Sequence, residues 1–291
     1  MNNTAHMNVI QGSLQRQLSV SAACFRGLFV ACHIIYGMLL AAVYPALGGS
    51  ARRRILKQWS RKLLGILHVG LETSGSGHAP AGRGQLFVAN HISWLDVIAM
   101  NAVAPACFVA KAEVRDWPLL GWMCRRIGTL FIRRDARQDA ARVNCEIVEM
   151  LRNGECVALF PEGTSTEGIY PGHFHSSLLQ GTIDSGAAIH PLAIRYHDGS
   201  SNPNLDAAYV DDMTFIQSLW KILRSPSLHA TLAYLPALQV AGKTRRTLAA
   251  EAQGAIHTAI ATHACGDSVH TPDGVMGSGW RSNGLFIPET F

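Results

Sequence analysis

The chain has 291 residues, 48% of them apolar and only 15% charged, with a net charge of +5. That length suits one large α/β domain or two small ones, and the charge content falls below the roughly 25% of ordinary soluble proteins, so something other than water covers part of the surface. The positive balance suits an anionic membrane surface or an acidic partner. It is too weak and dispersed for nucleic acid, and no zinc-finger, RNP or basic-zipper pattern occurs.

Residues 1–22 form a polar arm, expected to be poorly ordered. Leu28–Leu47 is uncharged and just long enough to cross a bilayer core, which needs about 20 residues; it starts too late and runs too long for a signal peptide. Arg52, Arg53, Arg54, Lys57, Arg61 and Lys62 follow, interleaved with Ile55, Leu56, Trp59, Leu63, Ile66 and Leu67 at helical spacing. One greasy and one basic face predict a helix lying in a membrane interface, with a charged face on a core-packed helix as the alternative. Residues 23–70 are therefore read as a membrane anchor. The basic flank places the following domain on the cytoplasmic face, at the inner membrane if the source is bacterial.

Residues 73–84 are Gly- and Pro-rich and predict a loop. Beyond them strand-like runs (Gln85–Ala89, Cys107–Ala110, Leu130–Arg133, Cys156–Phe160, Ala188–Tyr196, His229–Leu235) alternate with helical ones (Leu95–Ala102, Pro118–Arg126, Gln138–Asn153, Ser176–Asp184, Thr214–Leu223, Arg245–His263). The alternation predicts an α/β domain over 71–265, with a mostly parallel sheet flanked by helices. A loose tail is expected over 266–291. The seven cysteines are odd in number and scattered, which fits a reducing compartment and no disulfide framework.

Three segments carry chemistry. Asn90-His91-Ile92-Ser93-Trp94-Leu95-Asp96 follows a strand and opens a helix. On a regular helix His91 and Asp96 would stand about 140° apart, but at a loop-to-helix junction the carboxylate can fold back on the imidazole. A neutral imidazole can take the proton of an attacking alcohol, and a carboxylate fixes its tautomer and supports the imidazolium. The plain alternative is a satisfied loop histidine beside a helix-start aspartate.

Phe160-Pro161-Glu162-Gly163-Thr164-Ser165 ends another strand and offers backbone N–H groups and hydroxyls to an anion or oxyanion. Glu162 would repel phosphate, so it must meet a cation or an acceptor's polar groups. Gly128–Arg134 ends in Arg133 and Arg134, which suit a phosphate or carboxylate; Lys111 and Ser165 are further candidate anion contacts. His173 and His175 lie in a loop with no third ligand nearby in sequence, and no metal site is read there.

In this order, and followed by Ile189-x-Pro191-Leu192, the segments resemble the four blocks of the glycerolipid acyltransferase family, typified by 1-acylglycerol-3-phosphate acyltransferases. The resemblance covers roughly Gln85 to Tyr196. It implies His91 as general base and Asp96 as its orienting partner. Phe131 and Arg133 would belong to the acceptor site, Glu162, Gly163 and Thr164 would sit at the headgroup or reacting centre, and Pro191 would shape the donor side. It further implies a membrane-bound O-acyltransferase moving a fatty acyl group from an acyl carrier protein or CoA thioester to a lysolipid hydroxyl, with no cofactor or metal. Phosphatidate-forming members carry arginine where Ser165 stands here. With Thr166-Glu167-Gly168 and Phe174–Leu179, this looks more like the lyso-ornithine lipid acyltransferases and related lysolipid enzymes, the alternative to a 1-acylglycerol-3-phosphate-like acceptor, whose phosphate Arg133, Arg134 or Lys111 could hold in place of that arginine. A thioesterase and a non-catalytic relative remain as rivals; a serine hydrolase is opposed by the lack of a G-x-S-x-G elbow.

Overall fold

The computed structural model describes residues 17–75, 84–133, 137–200 and 202–264. Most of the polar arm, the tail from Gly266 and Arg134 lie outside these residues.

In chain order the elements are α1 (Val20–Val43), a 3-10 turn (Tyr44–Ala46), α2 (Gly49–Leu67), β1 (Val69–Ser74), β2 (Gln85–Ala89), α3 (Leu95–Val103), β3 (Cys107–Lys111), α4 (Leu120–Arg126) and β4 (Leu130–Ile132). There follow α5 (Arg137–Arg152), β5 (Cys156–Leu159), a 3-10 turn (Ser177–Leu179) leading into α6 (Gln180–Ser185), β6 (Ile189–His197), α7 (Phe215–Arg224), β7 (Leu228–Tyr234) and α8 (Arg245–Ala264). The strands form one seven-stranded sheet in the order β1-β7-β6-β2-β5-β3-β4. Only β6 and β7 run antiparallel; the other neighbours are parallel. The expected mostly parallel α/β sheet is therefore present.

β2 lies between β5 and β6 and all five of its residues are buried, the mark of a strand covered on both faces. One core cluster joins Phe87, Ile92, Leu95, Met100 and Leu232 to Leu63, Leu64 and Leu67 of α2 and Ile222 of α7. The opposite cluster joins Leu86, Val88 and Leu159 to Val143 and Ile147 of α5 and Leu248 and Ile256 of α8. The sheet thus separates an α1–α2–α3–α7 side from an α5–α6–α8 side.

α1 starts at Val20, where Ser19 Oγ accepts the Ala22 N–H at 3.3 Å, a standard N-cap. With the 3-10 turn it forms a 27-residue segment long and apolar enough to cross a membrane. It begins earlier than the uncharged run predicted and includes Arg26, whose guanidinium donates to the Leu223 and Ser225 carbonyls at the end of α7. Ala23, Val30, His33, Gly37 and Ala41 face the protein, while Phe25, Leu28, Phe29, Ile35, Leu39 and Val43 are exposed. The His33 ring stacks on Trp59 of α2 with centroids 5.0 Å apart.

Two expectations are corrected. The apolar face of α2 does not lie open to lipid: Leu63, Leu64 and Leu67 are buried against the rest of the core, and Arg61 Nε donates to the Ala102 carbonyl at 2.8 Å. The exposed apolar surface is α1's instead. The loop expected over 73–84 begins inside an unforeseen edge strand, β1, which takes up Thr73 and Ser74, pairs with β7 and carries the sheet back to Val69.

Candidate active site

Parallel pairing of β2 with β5, with Val88 opposite Leu159, brings the segments after both strands together at the carboxyl edge of the sheet, the usual position for sites in open α/β folds. His91 and Glu162 meet there.

His91 Nδ1 lies 2.8 Å from Asp96 Oδ2. Asp96 stands in the first turn of α3 with its side chain fully buried, while the His91 side chain is 22% exposed. The same Oδ2 accepts the Ile92 and Ser93 N–H groups at 2.7 and 2.9 Å, and the Tyr196 hydroxyl donates to Oδ1 at 2.8 Å. These bonds compensate the burial of the carboxylate. Burial and the adjacent Asp96 push the Tyr196 hydroxyl well above its ordinary pKa, so it remains a donor. A proton on Nδ1 facing Asp96 puts the lone pair on Nε2.

The histidine is also held from behind. Its N–H donates to Glu162 Oε1 at 2.8 Å, and its carbonyl accepts the Thr166 N–H at 2.8 Å. Its ring stacks on Phe160, centroids 4.2 Å apart and planes at 15°. Glu162 Oε2 accepts the Gly172 N–H at 2.9 Å. A Cβ at Gly172 would stand 2.8 Å from that oxygen, so a larger residue there would displace the carboxylate or the loop. Burial pushes the Glu162 carboxyl up from 4.5, opposed by the N–H groups of His91 and Gly172. The cation or acceptor group expected for Glu162 is thus replaced by two backbone donors.

The other predicted residues fall into two groups. Gly163, at φ 75°, closes a turn in which its N–H donates to the Phe160 carbonyl; Thr164 next to it is exposed. Ser165 donates its hydroxyl to the Tyr209 carbonyl. These stand beside His91.

The rest are farther off or otherwise engaged. Arg133 pairs with Asp139 at 3.0 Å, which holds the Asp139 carboxyl below its usual range. Phe131 is the middle residue of the edge strand β4, and Lys111 is the exposed last residue of β3. Pro191 is buried within β6 opposite Val88 and supports the sheet beneath the site. Its carbonyl accepts the Leu235 N–H. His173 and His175 lie with ring centroids 5.2 Å apart, and among the described residues no group of three metal-capable side chains forms.

Four contributors were not foreseen. Tyr196, Phe160 and Gly172 act as above, and the Asn90 amide bridges β2 to β6 through the N–H and carbonyl of Ile194 at 2.8 and 3.0 Å. Asn90 and Phe160 stood in the motifs noted above, and Tyr196 near the end of β6 offered a hydroxyl as a signal.

Fold and site together define a class: an α/β protein in which a buried carboxylate orients a partly exposed imidazole at the carboxyl edge of a mostly parallel sheet. The acyltransferase family model matches residues 70–195. A lyso-ornithine lipid O-acyltransferase of Pseudomonas aeruginosa is 37% identical over 210 residues, covering 72% of this chain and 79% of that protein. A 1-acyl-sn-glycerol-3-phosphate acyltransferase of Neisseria meningitidis is 36% identical over 178 residues, covering 61% and 69%. The crystal structure of a 1-acyl-sn-glycerophosphate acyltransferase from Thermotoga maritima shares the fold, with a TM-score of 0.57 and 19% identity over 81% of this chain and 97% of that one. The chain belongs to the acyltransferase family, and it is an O-acyltransferase.

Proposed function

We propose that the protein transfers a fatty acyl group from a CoA or acyl carrier protein thioester to the free hydroxyl of a lysolipid at the cytoplasmic face of a membrane. The observation that carries this reading is the 2.8 Å contact between His91 Nδ1 and the buried Asp96 carboxylate, which leaves Nε2 to act on a substrate.

The lysolipid presents its hydroxyl to His91 Nε2. As the oxygen attacks the thioester carbonyl, the proton passes to Nε2 and a C–O bond forms; Asp96 stabilises the imidazolium. The oxyanion needs a donor, and because the Gly163 N–H is engaged in its turn, the backbone at Thr164 takes that role. Collapse breaks the C–S bond and the thiolate recovers the proton from His91. The products are the ester and the free thiol, with no covalent enzyme intermediate. Glu162 acts as a positioning residue for His91.

Two acceptor headgroups compete. A 1-acyl-glycerol-3-phosphate acceptor would draw on Lys111 and on Arg133 released from Asp139. The second reading, lyso-ornithine lipid, is favoured by Ser165, whose hydroxyl is directed to the Tyr209 carbonyl and which offers a phosphate no charge-assisted grip. The test is a panel of lysophosphatidate and lyso-ornithine lipid, each with acyl-CoA and acyl carrier protein thioesters, with products identified by mass. A diacyl product supports the reading; free fatty acid alone points to a thioesterase.

A further inference from the structure

A cavity of about 470 Å³ opens beside the site at the carboxyl edge of the sheet, on the α5–α8 side. Val109, Ile132 and Leu159 give it apolar walls, Phe160 and Gly163 belong to its lining, and Arg245 and Arg246 at the start of α8 add two cations. Arg245 also lines an adjoining groove along α5, so the hollow continues outward past the arginine. Both arginines are exposed, and neither forms an ion pair among the described residues, although the nearby Lys243 pairs with Glu251. The volume falls within the range of about 300–1,000 Å³ usual for small-ligand sites.

We propose that this cavity receives the pantetheine arm of the thioester donor and that Arg245 and Arg246 bind its phosphate. The inference rests on the acyl-transfer reading above. Three observations select the donor. Phe160 both stacks on His91 and lines the cavity, so a chain lying in it ends near the imidazole. The cavity lies across the sheet from α1, the helix apolar enough for a membrane, so it faces water where a soluble thioester arrives and not the side where a lipid would enter. Apolar walls that lead to a pair of cations match a slender arm carrying a phosphate at its far end, and guanidinium groups suit phosphate.

The test is calorimetric titration of the full-length protein with 4′-phosphopantetheine and with pantetheine, for wild type and R245A/R246A, joined to steady-state kinetics. The wild type is expected to bind phosphopantetheine roughly ten-fold more tightly than pantetheine, and the double variant to lose that preference. The KM for acyl-CoA should rise by a similar factor while the lysolipid KM and vesicle binding stay unchanged, with partial recovery in R245K/R246K. An unchanged melting temperature would show that the variant is folded. Equal binding of the two probes by wild type, or an undiminished preference in the variant, would overturn the proposal. So would a rise confined to the lysolipid KM with glycerol 3-phosphate as competitor, because the anion would then be the acceptor's headgroup. The titration needs no turnover, so an absence of lipid product would sink the acyl-transfer reading and leave the phosphate preference to decide the cavity.

Discussion

Tyr196 and Asp96, 100 residues apart in sequence, share a hydrogen bond of 2.8 Å in the interior, the phenol donating to the Oδ1 that His91 does not use. Asp96 is thereby pinned at both oxygens. Tyr196→Phe leaves Oδ1 without its donor in a fully buried position. Loss of a hydrogen bond to a charged group predicts a destabilisation of about 1.5–3 kcal/mol and a fall in kcat larger than any change in KM. Thermal unfolding and steady-state kinetics check both.

Glu162 carries a pH signature. Its carboxyl is raised above 4.5 by burial. Between 4.5 and that raised value the folded protein holds one proton more than the unfolded chain. Stability contributed by this group is therefore greatest on the acid side and is lost as pH rises through the folded pKa. Glu162→Gln removes the titration, so the stability difference between wild type and variant should shift against wild type as pH climbs above 4.5. Melting temperatures of the two proteins across this range test the sign. The variant should also be slower, because an amide has one acceptor oxygen for the two N–H groups of His91 and Gly172.

Gly172→Ala tests the same clamp without altering a charge. A Cβ would stand 2.8 Å from Glu162 Oε2, so the carboxylate or the loop must move and carry the His91 backbone with it. A misplacement near 1 Å at a reacting group can cost on the order of 100-fold in rate. The expected result is a strongly reduced kcat with modest loss of stability.

The outer face of α1 makes a prediction about location. Leu28 and Leu39 are 61% and 68% exposed, so a polar replacement costs the fold little. A charged residue in a bilayer core costs about 2.5–3.5 kcal/mol, so Leu28→Glu with Leu39→Glu should shift the protein from sedimenting vesicles to the soluble fraction while its melting temperature in detergent holds. Retained vesicle binding would place the membrane contact elsewhere.

Local pattern carried much of this molecule. The buried run Gln85–Ala89, the strand at Cys156 and the helix periodicity of Val143 and Ile147 marked the central elements, and His91 with Asp96 stood at a strand-to-helix junction where a carboxylate can turn back. What stayed hidden depends on partners distant in sequence. Gly172 reaches Glu162 and Tyr196 reaches Asp96 only through the folded sheet. Arg133 reads as an anion grip in isolation, yet Asp139 takes it up. β1 escaped notice because an edge strand is buried on few positions: Val69 is buried while Glu72 and Thr73 are exposed, so neither strict alternation nor a continuous apolar run marks it. The basic and apolar residues of α2 were read as facing lipid because periodicity reports that a face is apolar and not what covers it.

The most direct measurement is acyl transfer to a lysolipid acceptor by His91→Ala and Asp96→Asn beside wild type, with melting temperature and vesicle binding recorded on the same preparations. The account predicts a diacyl product from wild type, no detectable transfer from His91→Ala, and a roughly 10⁴-fold lower kcat for Asp96→Asn, all three proteins folded and membrane-bound. A folded His91→Ala protein that transfers the acyl group at near wild-type rate would contradict it.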